Sequence, residues 1–131
     1  MPFIAFNKAT DPAAPDDLRI NTTGVLYVEA SRPDLVGRTT IHMLGQTSTV
    51  NAVTESVGTV VSSIFDAACV LVACTRHYLA SPPEDGASTV YISPANVSYV
   101  RPNLPTTPDF WVIRFVDGSE LRVLDPLPQG L

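Results

Sequence analysis

Residues 72 positions apart in this chain match in kind over a long stretch. Laying Ile20–Ile41 over Ile92–Ile113 without a gap pairs Ile20 with Ile92, Val25 with Val97, Tyr27 with Tyr99, Val28 with Val100, Pro33 with Pro105 and Ile41 with Ile113. A one-residue gap then brings Gly45 onto Gly118 and Val50 onto Val123. A repeat of this kind restricts the fold strongly, because each copy must bury the same apolar stripe. It predicts two copies of one small unit in tandem.

Within each copy the apolar residues alternate. Ile113 and Phe115, then Leu121 and Val123 beyond a turn, have the period of two expected of half-buried strands. Asp117-Gly118 is the strongest hairpin signal in the chain, since tight hairpin turns favour residues that tolerate positive φ. Gly45-Gln46 is a weaker version at the matching corner. Upstream apolar runs, Phe3–Phe6 and Val70–Ala73, each lead into a Pro- and Asp-rich stretch that ends a strand, Asp11–Asp17 and Ser81–Gly86. A helix is predicted after the first unit only. Val57, Val60, Val61, Ile64 and Ala68 follow helical spacing, with Thr54 as N-cap and Glu55 in the first turn. The prolines of Leu124-Asp125-Pro126-Leu127-Pro128 forbid an equivalent helix after the second. The expected fold is therefore mainly β (α+β), with two tandem antiparallel β units of similar topology. Residues 1–66 form the first unit with its closing helix, and residues 67–131 the second, without one. The first unit's helix or a neighbouring subunit is expected to cover the second sheet.

Charge narrows the function classes. Only 16% of the 131 residues are charged, and the net charge is -5. The eight basic residues form no run, so the basic footprint of a nucleic-acid binder is missing and such a partner is disfavoured. Weak charging suits packing against other subunits, because little must be desolvated. The amino terminus does not read as a signal peptide, and the longest apolar stretch, around Ala67–Ala73, is far below the ~20 residues that span a bilayer. The expectation is a soluble protein made in a cytosol, with no membrane partner.

No nucleotide-loop, nucleophile-elbow or zinc-protease motif occurs, so no catalytic residues, cofactor or metal are expected and the protein is read as non-enzymatic. His42 and His77 are isolated. Cys69 and Cys74 read as buried free thiols. Cys74 near Arg76 and His77 does not make a nucleophile, because those positions do not share one strand face. Asp117 is explained by its turn. Tyr27 and Tyr99 are expected in the core or at its rim. The ligand or interface candidates are Arg101, Phe110, Trp111, Arg114 and Arg122. Adjacent Phe110 and Trp111 face opposite ways, so one is a candidate interface anchor. Arg114 and Arg122 are expected across a hairpin on the polar face, where paired arginines hold anions such as nucleotides.

The run from Val90 to Val100, a loop, and the run from Val112 to Val123 resemble the small FlbD-type domain found in bacterial and phage small proteins. Val25–Ala30, Thr40–His42 and Thr54–Val57 are similar to that family's strand pair and closing helix. A fainter resemblance to the LytTR-type domain implies a DNA-binding regulator. The FlbD resemblance implies no catalytic residues. Together with the composition it suggests a phage-associated structural or assembly protein, a virion decoration subunit for example. Such a protein is expected to self-associate as a homo-oligomer or to dock on a larger assembly, in the host cytoplasm or the virion. A phage protein that sequesters a nucleotide signal is the alternative.

Overall fold

Alternating apolar residues give strands along most of the chain that the computed structural model describes, which is residues 3–7, 17–30, 39–44, 51–67, 69–77, 89–106 and 108–131. The fold is mainly β. In chain order the elements are β1 (Phe3–Asn7), β2 (Asp17–Asn21), β3 (Val25–Ala30), β4 (Thr39–Met43), β5 (Asn51–Val53), α1 (Val57–Asp66), β6 (Val72–Thr75), β7 (Thr89–Ile92), β8 (Val97–Pro102), β9 (Phe110–Phe115) and β10 (Glu120–Leu124). Short 3-10 turns, Thr22–Gly24 and Pro94–Asn96, precede β3 and β8. The Gly45-Gln46 corner and most of the two Pro-rich stretches, residues 11–16 and 81–86, lie outside the described residues.

All strand pairs are antiparallel. They form a two-stranded sheet β1-β2, a three-stranded sheet β10-β9-β8 and a five-stranded sheet β5-β4-β3-β7-β6. The five-stranded sheet takes strands from both sides of the predicted boundary between residues 66 and 67, joined where Tyr27, Val28 and Glu29 face Ile92, Tyr91 and Val90.

The register of the two central hairpins coincides at the repeat spacing. Val25 faces Met43, Val28 faces Ile41 and Ala30 faces Thr39, while Val97 faces Phe115, Val100 faces Ile113 and Pro102 faces Trp111. Both ladders are irregular at the same place, between Val25 and Tyr27 and between Val97 and Tyr99. Leu44 N–H donates to the Gly24 carbonyl at 2.7 Å, and Val116 N–H to the Asn96 carbonyl at 2.9 Å. The following strand departs from the predicted match. Val53, not Val50, stands opposite Thr39 as Val123 stands opposite Trp111. The first hairpin has the longer loop, so its last strand comes later than letter matching suggested.

Two cores follow the same plan. One gathers Phe6, Ile20, Val25, Val28, Ile41 and Val53 with Val60 and Ile64 of α1. The other gathers Cys74, Ile92, Ile113 and Val123, with Val97 and Val100 packed against it, and adds Leu26 and Tyr27 from β3. β3 thus separates the two cores, and its first five residues are buried. The bridge between Arg76 and Val123, and a 2.9 Å bond from His77 N–H to the Arg122 carbonyl, tie the edge of the five-stranded sheet to β10.

α1 begins two residues later than predicted. Its N-cap is Ser56, whose hydroxyl accepts from Thr59 N–H at 3.3 Å. Thr54 turns its hydroxyl to the Glu55 carboxylate instead, and the Glu55 carbonyl accepts from buried Thr39 at 2.7 Å. Val60 and Ile64 are fully buried, as the spacing predicts, but Ala68 lies outside the described residues. The expectation for the second unit needs correction. Leu127 and Leu131, in the segment after β10, pack against its core, whereas the buried residues of α1, Val60 and Ile64, belong to the other core. Prolines bar a helix here without barring apolar contacts.

Candidate functional site

The outer surface of the β8-β9-β10 sheet collects four of the five candidate residues. Alternation sends Trp111, Ile113 and Phe115 inward and Phe110, Val112 and Arg114 outward. Cross-strand register then fixes the rows. Arg101, Val112 and Arg122 lie side by side across the three strands, and Tyr99, Arg114 and Glu120 form the next row. Neighbouring strands are about 4.8 Å apart, so Arg101 and Arg122 flank Val112 at roughly 10 Å from each other. Three of the seven arginines of an acidic chain therefore share one face.

These residues are not equally available. Arg114 is committed to Glu120 at 3.2 Å, a solvated pair that adds little stability. Arg101 is exposed. The Arg122 guanidinium lies 5.4 Å from the centre of the Phe110 ring, and His77 stacks on Phe110 at 4.4 Å with an interplanar angle of 19°. The Nδ1 atom of His77 is buried and has no hydrogen-bond partner among the described residues. Trp111, by contrast, is half-buried against the core, and its indole N–H donates to Asp125 at 2.8 Å. It belongs to the structure of the sheet rather than to the arginine face.

A second polar group lies where sequence reasoning did not look. Glu29, 7% exposed, accepts two bonds from Arg76 Nη1 at 2.6 and 2.8 Å and contacts His42 Nε2 at 2.6 Å. Burial by itself would raise the Glu29 pKa, but the His42 hydrogen bond and the Arg76 charge outweigh it and hold the carboxyl below its ordinary 4.5. The His42 ring stacks on Tyr27 at 3.9 Å, and Tyr27 stacks on Phe115 at 5.7 Å. This network clamps β3, β4 and the end of β6 together. Arg76 is 47 positions from Glu29, and no local pattern links them. The one available signal was the repeat itself, which sets Glu29 against Arg101 and so opposes charges at equivalent places.

The two 3-10 turns meet near a cleft of about 710 Å³, lined in part by Thr22, Cys69, Val70, Val72, Ser93 and Asn96. Asn96 is buried, and its amide donates at 2.8 Å to both the Thr23 and the Val25 carbonyls. Cys69 is half-buried outside any strand, with Sγ 3.6 Å from the Thr22 carbonyl oxygen. Burial pushes the Cys74 thiol up to about 11, so it stays protonated at neutral pH. Among the described residues, no group of three His, Cys, Asp or Glu side chains is placed to hold a metal ion. No described helix is long and apolar enough to cross a membrane.

The strand edges complete the picture. β3 is paired on both sides, by β4 and β7. Its counterpart β8 is paired by β9 alone among the described residues, and Ser98, Tyr99 and Arg101 are exposed. β2, at the position that matches β7 in the repeat, is paired among the described residues on one side, by β1. Chemically, the region offers a cationic aromatic face to an anion and an open strand edge to another chain. Comparison with models of protein families, with curated proteins and with solved structures finds no match to this chain.

Proposed function

We propose that this chain is a non-enzymatic assembly protein of phage type, built by duplication of an FlbD-type unit, which self-associates or docks on a larger particle through its β units. The observation that carries the reading is β8. It repeats the register of β3, yet the side that β7 covers on β3 has no partner strand on β8 among the described residues. Natural proteins normally blunt or cover such an edge, because a row of unpaired N–H and C=O groups recruits another strand. The matched registers and matched cores support the duplication. The low charge of the chain lowers the cost of burying more of its surface. Mass measurement in solution, joined to native mass spectrometry, tests the proposal. A concentration-dependent homo-oligomer, or a stable complex with isolated capsids, is expected. A monomer at every concentration that binds no such particle overturns it.

The arginine face favours a second reading, capture of a nucleotide-like anion. The observation behind it is the unpartnered His77 Nδ1 beside the Phe110–Arg122 stack. An aromatic base stacks on such a platform while arginine takes its phosphate. The reading predicts a thermal upshift with nucleotides that Phe110→Ala removes. No upshift with any nucleotide rejects it.

A further inference from the structure

We infer that β8 receives β2 of a second copy of this chain, in the register that β3 uses for β7, so that copies join head to tail. The inference rests on the self-association reading above and gives it an interface. Among the described residues β8 and β2 each have an unpaired edge, and these two edges correspond by the repeat to two that are already joined inside the molecule. β3 accepts β7; β8 corresponds to β3 and β2 corresponds to β7.

The symmetry of the internal joint decides between a closed and an open assembly. Were the two units related by a two-fold axis, the β3–β7 joint would be accompanied by a β8–β2 joint in the same chain. No such pairing exists among the described residues. The relation is therefore heterologous, and a heterologous joint repeated between copies closes into a ring or runs on as a filament.

The register follows by transfer. Tyr27 faces Ile92, Val28 faces Tyr91 and Glu29 faces Val90. Hence Tyr99 faces Ile20, Val100 faces Arg19 and Arg101 faces Leu18 of the next copy. Arg19 is exposed and free to be covered. The backbone is correctly presented. Leu26, the counterpart of Ser98, turns its carbonyl away from β4 to accept from Ser93 N–H at 2.9 Å. Ser98 and Val100 therefore point their N–H and C=O groups at the open side. The joint between copies is weaker than the internal one. Gly24 stands where Asn96 stands and has no amide to reach across the turn.

The test uses the full chain and its variants in sedimentation velocity, with the melting temperature as a check on folding. Ser98→Pro removes an edge N–H from an exposed residue, and Val97 already has the extended backbone that a following proline requires, φ -90° and ψ 125°. It is expected to raise the concentration at the assembly midpoint by about tenfold or more, the loss of roughly one edge hydrogen bond with its neighbours, while melting changes little. Tyr99→Glu, a second exposed site, is expected to act in the same direction, because the joint then sets a carboxylate opposite Ile20. Arg19→Cys combined with Val100→Cys is expected to give a ladder of disulfide-linked dimers, trimers and larger species under oxidation, whereas neither single variant gives a ladder. Dimers from Val100→Cys alone mean that β8 pairs with β8 and overturn the head-to-tail inference. Assembly that neither Ser98→Pro nor Tyr99→Glu weakens also overturns it, while the assembly reading stands. A wild-type chain that is monomeric throughout removes both.

Discussion

The β3–β4 and β8–β9 hairpins share a register, a bulge and a closing turn bond, yet they live in opposite surroundings. Tyr27 is 8% exposed and stacked between His42 and Phe115, whereas Tyr99, its counterpart, is 44% exposed. Nothing inside the hairpins makes that difference. β3 is buried because β7 lies along its edge and the second core closes over its far face, while β8 has no such cover from the described residues. Local pattern sets how a hairpin pairs; what lies beyond its edge sets what its outward residues do.

The comparison is broken most sharply by truncating the stacked ring. Tyr27→Ala is expected to cost about 3 kcal/mol in urea unfolding, as for other buried aromatics, and Tyr99→Ala less than ~1 kcal/mol. Equal losses would show that the two surroundings do not differ in solution. The two covers of the cores should rank in the same manner. Ile64→Ala in α1 removes a fully buried side chain and is expected to cost ~3 kcal/mol, against ~1 kcal/mol for Leu127→Ala in the segment after β10. A Leu127 effect as large as that of Ile64 would make the segment a cover equal to the helix.

Charge separates the pair Glu29 and Arg101 further. Glu29→Gln should cost about 2 kcal/mol at pH 7 by leaving Arg76 short of its carboxylate, while Arg101→Gln should change the isolated subunit by less than ~0.5 kcal/mol. The sign of the pH effect follows from the lowered pKa of Glu29. The unfolded carboxyl takes up protons first as pH falls, so the Glu29 contribution is whole above 4.5 and declines as pH drops through the folded value. Stability of the wild type between pH 7 and pH 3 should thus fall more steeply than that of Glu29→Gln. Parallel curves would mean that Glu29 titrates normally. The smallest pair of effects concerns the turns. Asn96→Ala should cost ~1–2 kcal/mol through two lost bonds to carbonyls, and Gly24→Ala within ~0.5 kcal/mol, because the added methyl meets only the flexible end of Met43 at 3.3 Å. Hydrogen-exchange rates at Val25 and Val97 would show which turn loosens.

Much of this architecture was legible. The matches Val25/Val97, Val28/Val100 and Ile41/Ile113 located both hairpins, because the strand period of two leaves no freedom to slide an apolar face by one residue. Asp117-Gly118 marked its turn, with Gly118 at φ 92°, and the Val57–Ile64 spacing marked the helix. The site was legible in part. Arg101, Phe110, Arg114 and Arg122 do share a face, but Trp111 turns inward, and Glu29 with Arg76 was missed. The β5 register failed because loop length is invisible to a match of letters. The N-cap moved from Thr54 to Ser56 because the Glu55 carbonyl was already engaged by Thr39.

The amino-acid order alone determined the periodicities, the turn at Asp117-Gly118, the pairing within each hairpin and the bar against a second helix. These depend on residues near one another in the chain and on backbone geometry common to all proteins. The folded structure alone decided that β7 joins β3, that Leu127 and Leu131 pack on the second core, that Arg76 reaches Glu29, and that β8 has one side unpaired among the described residues. Those outcomes compare distant segments competing for the same surface, and each is settled by which of them buries more apolar area and satisfies more polar groups once the whole chain has come together.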